Sequence, residues 1–91
     1  MTHYLRKNGV TVVDTETSAN DLSCVVCINS FSELLLAEPE RAAEVAEDFN
    51  GLQEMRGEWF ETVKQSETPS EFAERKMRRV ADKYDLQYVT D

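Results

Sequence analysis

The sequence is poor in the residues on which most catalytic and cofactor sites depend. It holds one histidine, two cysteines, three glycines and two prolines among 91 residues. So few glycines leave no Gly-rich phosphate loop, and with one histidine near the start no nucleophile and base can be assigned from spacing. No catalytic residues and no cofactor are therefore expected, and the chain reads as non-enzymatic. Two cysteines are too few for a disulfide scaffold. Positive charge is also scarce, with 10 Lys and Arg against 18 Asp and Glu and a formal charge of −8. That balance argues against direct binding to nucleic acid, itself a polyanion. No run of about 18 uncharged apolar residues occurs, and Met1 to Lys7 lacks the apolar stretch of a secretory signal. A cytoplasmic chain with no membrane partner is expected.

What remains is enough for one domain over residues 1–91, with 41% apolar residues and a thin core. Asn8-Gly9 is the preferred pair for a type I′ turn, and β-branched Val10, Val12 and Val13 follow it, so residues 3–14 read as a β-hairpin. A two-residue loop places Leu5 opposite Val12, Lys7 opposite Val10 and Tyr4 opposite Val13. Thr15 to Asp21 is polar and suits a connection. The short apolar run 22–28 reads as a buried strand, with a helix capped at Asn20 as the competing reading. Ser30-Phe31-Ser32-Glu33 has the form of a capping box and predicts a short helix that ends before Pro39.

From Pro39 to about Lys64 the residues Ala42, Val45, Ala46, Phe49, Leu52, Met55, Trp59 and Val63 recur at spacings of three and four. They predict one continuous amphipathic helix, with Asn50-Gly51 as the place where it could divide in two. Thr68-Pro69-Ser70-Glu71 is a second capping box, and a helix from Pro69 to about Tyr84 follows. Its buried stripe is Ala73, Met77, Val80, Ala81 and Tyr84, with Phe72 at the edge. Glu71 with Arg75, Glu74 with Arg78, and Arg78 with Asp82 stand four apart as expected ion pairs. Leu86 to Val89 reads as a closing strand. The fold class expected is α+β: a small antiparallel sheet of the hairpin, strand 22–28 and the C-terminal strand, with two to three helices on one face.

Cys24 and Cys27 have the C-x-x-C spacing of redox and zinc sites. On a strand, however, positions three apart point to opposite faces, and Val25, Val26 and Ile28 supply no charge to stabilise a thiolate. The only imidazole, His3, reads as part of a mobile terminus, so no metal site is expected and the cysteines read as buried and structural.

Charge carries the strongest pattern. Glu40, Glu44, Glu47, Glu54, Glu58 and Glu61 would form a line about 31 Å long on a continuous helix. The stretch from Glu33 to Glu67 has a net charge of −7, whereas Glu71 to Lys83 has a net charge of +2, which makes the chain a dipole in sequence. One reading of the acidic line is a solvated face. The other is a surface complementary to a strongly basic partner, because a row of carboxylates attracts the same Lys and Arg rows that a phosphate backbone does. Trp59 and Phe60, adjacent and so about 100° apart on a helix, cannot both enter one core; one of them is a candidate anchor beside the acidic line.

In size and charge the chain resembles the small acidic phage inhibitors of restriction and CRISPR enzymes that mimic DNA. The resemblance implies a partner-binding inhibitor whose target is a nucleic-acid-binding protein. The alternatives are a homo-oligomeric adaptor with a solvated acidic helix and, more remotely, a C-x-x-C redox or zinc protein.

Overall fold

The computed structural model describes residues 1–26, 39–63 and 65–91, and the side chains of all of these except 24–26. The end of the strand expected over 22–28, the Ser30 capping-box helix and Lys64 lie outside the described residues, as does Cys27. The described elements are β1 (Thr2–Lys7), β2 (Val10–Thr17), β3 (Leu22–Val26), a 3₁₀ turn (Pro39–Arg41), α1 (Ala42–Gln53), α2 (Met55–Glu58), a π-helical turn (Trp59–Val63), α3 (Pro69–Tyr84) and β4 (Gln87–Thr90). The four strands form one antiparallel sheet in the order β3-β2-β1-β4. The fold is α+β, with the helices against the sheet face that carries Leu5, Val13 and Leu22.

The hairpin turns at Asn8 and Gly9, whose φ angles of 52° and 81° are both left-handed, as a type I′ turn requires. Lys7 faces Val10 as expected. Beyond Arg6 and Thr11 the register shifts by one, so that Leu5 faces Val13 and Tyr4 faces Asp14, which corrects the simple pairing. Val12 is the extra residue of a β-bulge, and the bulge lets Val12 and Val13 both be buried although they are consecutive. β2 also continues through Thr15, Glu16 and Thr17, residues that the polarity of the sequence assigned to a connection. Thr15 and Thr17 turn inward and are buried beside His3.

His3 is not in a mobile terminus. It is 1% exposed on β1, flanked by β2 and β4. The burial pattern of strand β1 explains the error: His3 and Leu5 alternate with half-buried Tyr4 and Arg6, a period of two that places the imidazole on the core face.

The long helix is not continuous. The chain stays helical through Asn50 and Gly51, where the sequence had left a division open; the interruption of the expected continuous helix comes at Glu54, whose φ and ψ of −89° and 0° leave the α region. The four-residue α2 and the π turn follow, and across the interruption Val45, Phe49, Leu52, Met55 and Trp59 remain in the core. A π turn adds a residue to the helical repeat, which lets Trp59 stay buried while the chain bends toward α3.

Helix α3 begins as its sequence predicts. Thr68 is the N-cap, its side chain accepts from the Glu71 backbone N–H at 3.1 Å, and Pro69 occupies the first turn. The stripe Ala73, Met77, Val80, Ala81 and Tyr84 is buried. Phe72, expected at the edge, is instead 0% exposed and belongs to the same core. Asp85 ends the helix in the left-handed conformation (φ 55°), and the Leu86 N–H returns to the Ala81 carbonyl at 2.8 Å, turning the chain into β4.

Candidate functional site

The six glutamates of the acidic line separate into two sets. Glu44 and Glu58 are half-buried and paired, and the other four are exposed. Glu44 receives the Arg41 guanidinium at 2.9 Å and the Lys83 ammonium at 2.8 Å, and Glu58 receives Lys76 at 2.8 Å. Among the described residues no cation lies within ion-pair distance of Glu40, Glu47, Glu54 or Glu61. These four stand seven residues apart in sequence, Glu40 in the 3₁₀ turn, Glu47 in α1, Glu54 at the break and Glu61 in the π turn.

The pairing follows from how α3 lies against α1. Lys76 and Lys83 are seven apart on α3 and reach across to Glu58 and Glu44, so α3 neutralises one edge of the acidic segment and leaves the other bare. Arg75 binds Glu67 at 2.8 Å rather than the Glu71 four residues before it, and Arg78 reaches Glu74 at 3.7 Å rather than Asp82. Arg56 holds Asp21 through both of its carboxylate oxygens, at 2.9 and 3.2 Å. Lys76 and Lys83 thus set part of the positive charge of α3 against the acidic segment.

At the Glu44 end, five side chains clamp the two helices. Lys83 bridges Glu44 and Asp48, the Tyr84 hydroxyl donates to Asp48 at 2.5 Å, and the Arg41 guanidinium lies 4.7 Å from the centre of the Tyr84 ring. Arg41 and then Lys83 hold the Glu44 carboxyl down to about 2. Burial, reinforced by the hydrogen bond to Asp48, pushes the Tyr84 hydroxyl up to about 12, and Glu44 and Asp48 raise the ammonium of Lys83. Sequence reasoning missed this cluster. Tyr84 and Asp48 are 36 residues apart, and no helical spacing relates them.

Two shallow grooves flank the bare edge. One, of about 600 Å³, lies between α1 and α3, and its lining includes Ala46, Gly51, the carboxylates Glu47 and Glu54 and the cations Lys76 and Arg79. The second, of about 400 Å³, is lined by Gly51, Glu54, Gly57, Glu58, Glu61 and Thr62. Glu54 belongs to both. Carboxylates in such a setting attract and orient cationic groups; none has the desolvated environment that a general acid requires.

The aromatic pair is divided. Trp59 is 3% exposed and its indole N–H donates to the Glu67 carbonyl at 2.9 Å, so it supports the surface from beneath and is not a contact residue. Phe60 is 37% exposed, packs edge-on against Trp59 with ring centres 4.8 Å apart, and lies 4.9 Å from the Arg56 guanidinium.

Cys24 sits on β3 opposite Thr15. Among the described residues no three His, Cys, Asp or Glu side chains gather as a metal-binding set, and no helix is long and apolar enough to cross a membrane. No protein-family model matches the chain, and no curated protein or solved structure is significantly similar to it.

Proposed function

We propose that the chain is a non-enzymatic, cytoplasmic binding protein that uses its acidic edge to occupy a basic surface on a partner protein. The observation that carries this reading is the set Glu40, Glu47, Glu54 and Glu61: exposed, seven apart in sequence, and without a cationic partner among the described residues while neighbouring carboxylates are paired. A helix edge that served only solubility would intersperse lysines, because each unpaired carboxylate adds to self-repulsion. Negative potential concentrated along one edge accelerates encounter with a basic surface and selects against acidic ones. A row of exposed carboxylates attracts the same Lys and Arg side chains that a phosphate backbone does, so a protein that grips nucleic acid offers a complementary surface. Occupying that row would make the chain a competitive inhibitor of the anti-restriction or anti-CRISPR kind.

The test compares two variants that remove the same charge: Glu47→Gln with Glu54→Gln on the row, and Asp82→Asn with Asp85→Asn on the far helix. Capture of host proteins at low salt, followed by competition with duplex DNA, should give a nucleic-acid-binding partner that the first variant loses and the second retains. Equal capture by both variants would reject the row as the contact. Exposed Phe60 favours a second reading, an adaptor or self-associating surface, for which binding would depend weakly on salt and fail in Phe60→Ala.

A further inference from the structure

One side of the sheet ends on β4, and the ladder with β1 shows which way the backbone groups of β4 point. Along a strand the N–H and C=O of successive residues turn to alternate sides. The Asp91 N–H bonds the Thr2 carbonyl at 3.1 Å, so Asp91 faces β1, and so do Val89 and Gln87, which stand opposite Tyr4 and Arg6. Tyr88 and Thr90 therefore point their N–H and C=O groups away from the sheet, and among the described residues these groups have no partner. The strand that carries them is fastened along its length. The Tyr88 hydroxyl lies 2.7 Å from Nδ1 of buried His3, and the Asp91 carboxylate accepts the Thr2 N–H at 2.7 Å.

We propose that this edge is a homodimer interface, in which β4 of a second copy pairs antiparallel with β4 about a twofold axis at Val89. In that register Val89 faces its own counterpart, and Tyr88 of each copy faces Thr90 of the other. These are the residues whose backbone groups point outward, and each Tyr88–Thr90 pair exchanges two hydrogen bonds, so the twofold satisfies every outward group of both strands. A register one residue away sets outward groups opposite inward ones. A register two residues away leaves Tyr88 or Thr90 of each copy without a partner inside the strand. The edge is thus self-complementary in one register only.

Charge favours a second copy as the occupant. Edge strands are guarded against such pairing by charged side chains, proline or a bulge. β4 has none of these: Gln87, Tyr88, Val89 and Thr90 are uncharged in a chain of which 31% is charged, and its ladder with β1 runs without the register shift that interrupts β1 and β2. Across the twofold, Val89 meets Val89 and Tyr88 meets Thr90, which brings no like charges together, and Gln87 faces Asp91, whose carboxylate accepts from a side-chain amide. A basic partner is drawn to carboxylates, and β4 holds none of the acidic row, so self-association and the function proposed above stand or fall separately. The axis is perpendicular to the sheet, so two four-stranded sheets join into one with both helix layers on the same side. Strands of four residues bury little area, and the −8 charge of each copy opposes association at long range, so the dimer is weak and is strengthened by salt.

The test follows the mass of the full chain by sedimentation from about 0.01 mM to about 1 mM, at low and at high salt. A monomer that becomes a dimer with rising concentration is expected. Thr90→Pro removes an outward N–H and leaves the inward bonds of Val89 and Asp91 in place, so it should lower the association constant about tenfold or more, whereas Phe60→Ala should leave it unchanged. Amide exchange in the native chain needs no variant: at the lower concentration Tyr88 and Thr90 should exchange far faster than Val89 between them, and at the higher concentration their protection should rise several-fold. A monomer at every concentration would overturn the proposal and leave the edge to a strand of another protein. A dimer kept by Thr90→Pro or lost in Phe60→Ala, or Tyr88 and Thr90 amides that stay unprotected in the dimer, would overturn it as well.

Discussion

Thr15 is fully buried between β1 and β3, and its hydroxyl has no hydrogen-bond partner among the described residues. A buried hydroxyl that has left water and gained nothing is a net cost, while the β-branched shape suits the strand. Thr15→Val keeps the shape and removes the orphan. It should stabilise the fold by about 1 kcal/mol, read as a higher urea midpoint at unchanged slope. Glu44 acts in the opposite sense. Its folded carboxyl titrates at about 2, below the ordinary 4.5, so the stability it lends is fully present above pH 4.5 and is lost as pH falls from there toward 2. Melting temperatures taken across that window should drop less steeply in Glu44→Gln than in the native chain.

At the scale of elements, Gly51 in α1 and Gly57 in α2 stand at exposed helical positions where an added Cβ would meet nothing within 4 Å. Neither is held there by internal packing. Gly51→Ala and Gly57→Ala should each stabilise the chain by up to about 1 kcal/mol through helix propensity, checked by chemical denaturation. If the acidic edge is the contact surface, the same substitutions place methyl groups in its grooves and should weaken partner capture while raising stability. Elements with a strong local signal could be read from sequence: the Asn8-Gly9 turn, the Thr68 cap with Pro69, and the buried stripe of α3. The bulge at Val12, the break at Glu54 and the π turn at Trp59 could not. Each is set by contacts between elements, since Val12, Met55 and Trp59 all belong to one core, and local periodicity does not record how sheet and helices divide that volume. The acidic row was visible as six glutamates, but which four would remain bare depended on Lys76 and Lys83 arriving from another helix.

For the whole molecule, a charge of −8 means that long-range repulsion opposes the compact state. Of the nine cationic side chains among the described residues, six are already paired at short range, so salt has more repulsion than attraction to screen. Raising ionic strength from about 0.02 M to about 0.5 M should increase the melting temperature. The increase should shrink when Glu40, Glu47, Glu54 and Glu61 are all changed to Gln. The sheet order also governs how the molecule assembles in time. β1 and β2 meet through a two-residue turn, whereas His3 and Tyr88, on β1 and β4, are 85 residues apart. The hairpin can form within microseconds from local contacts, but the ladder beside it must wait for the far end of the chain. β1 thus folds with one neighbour early and its other neighbour late, and during synthesis its outer edge stays open until the last strand has left the ribosome.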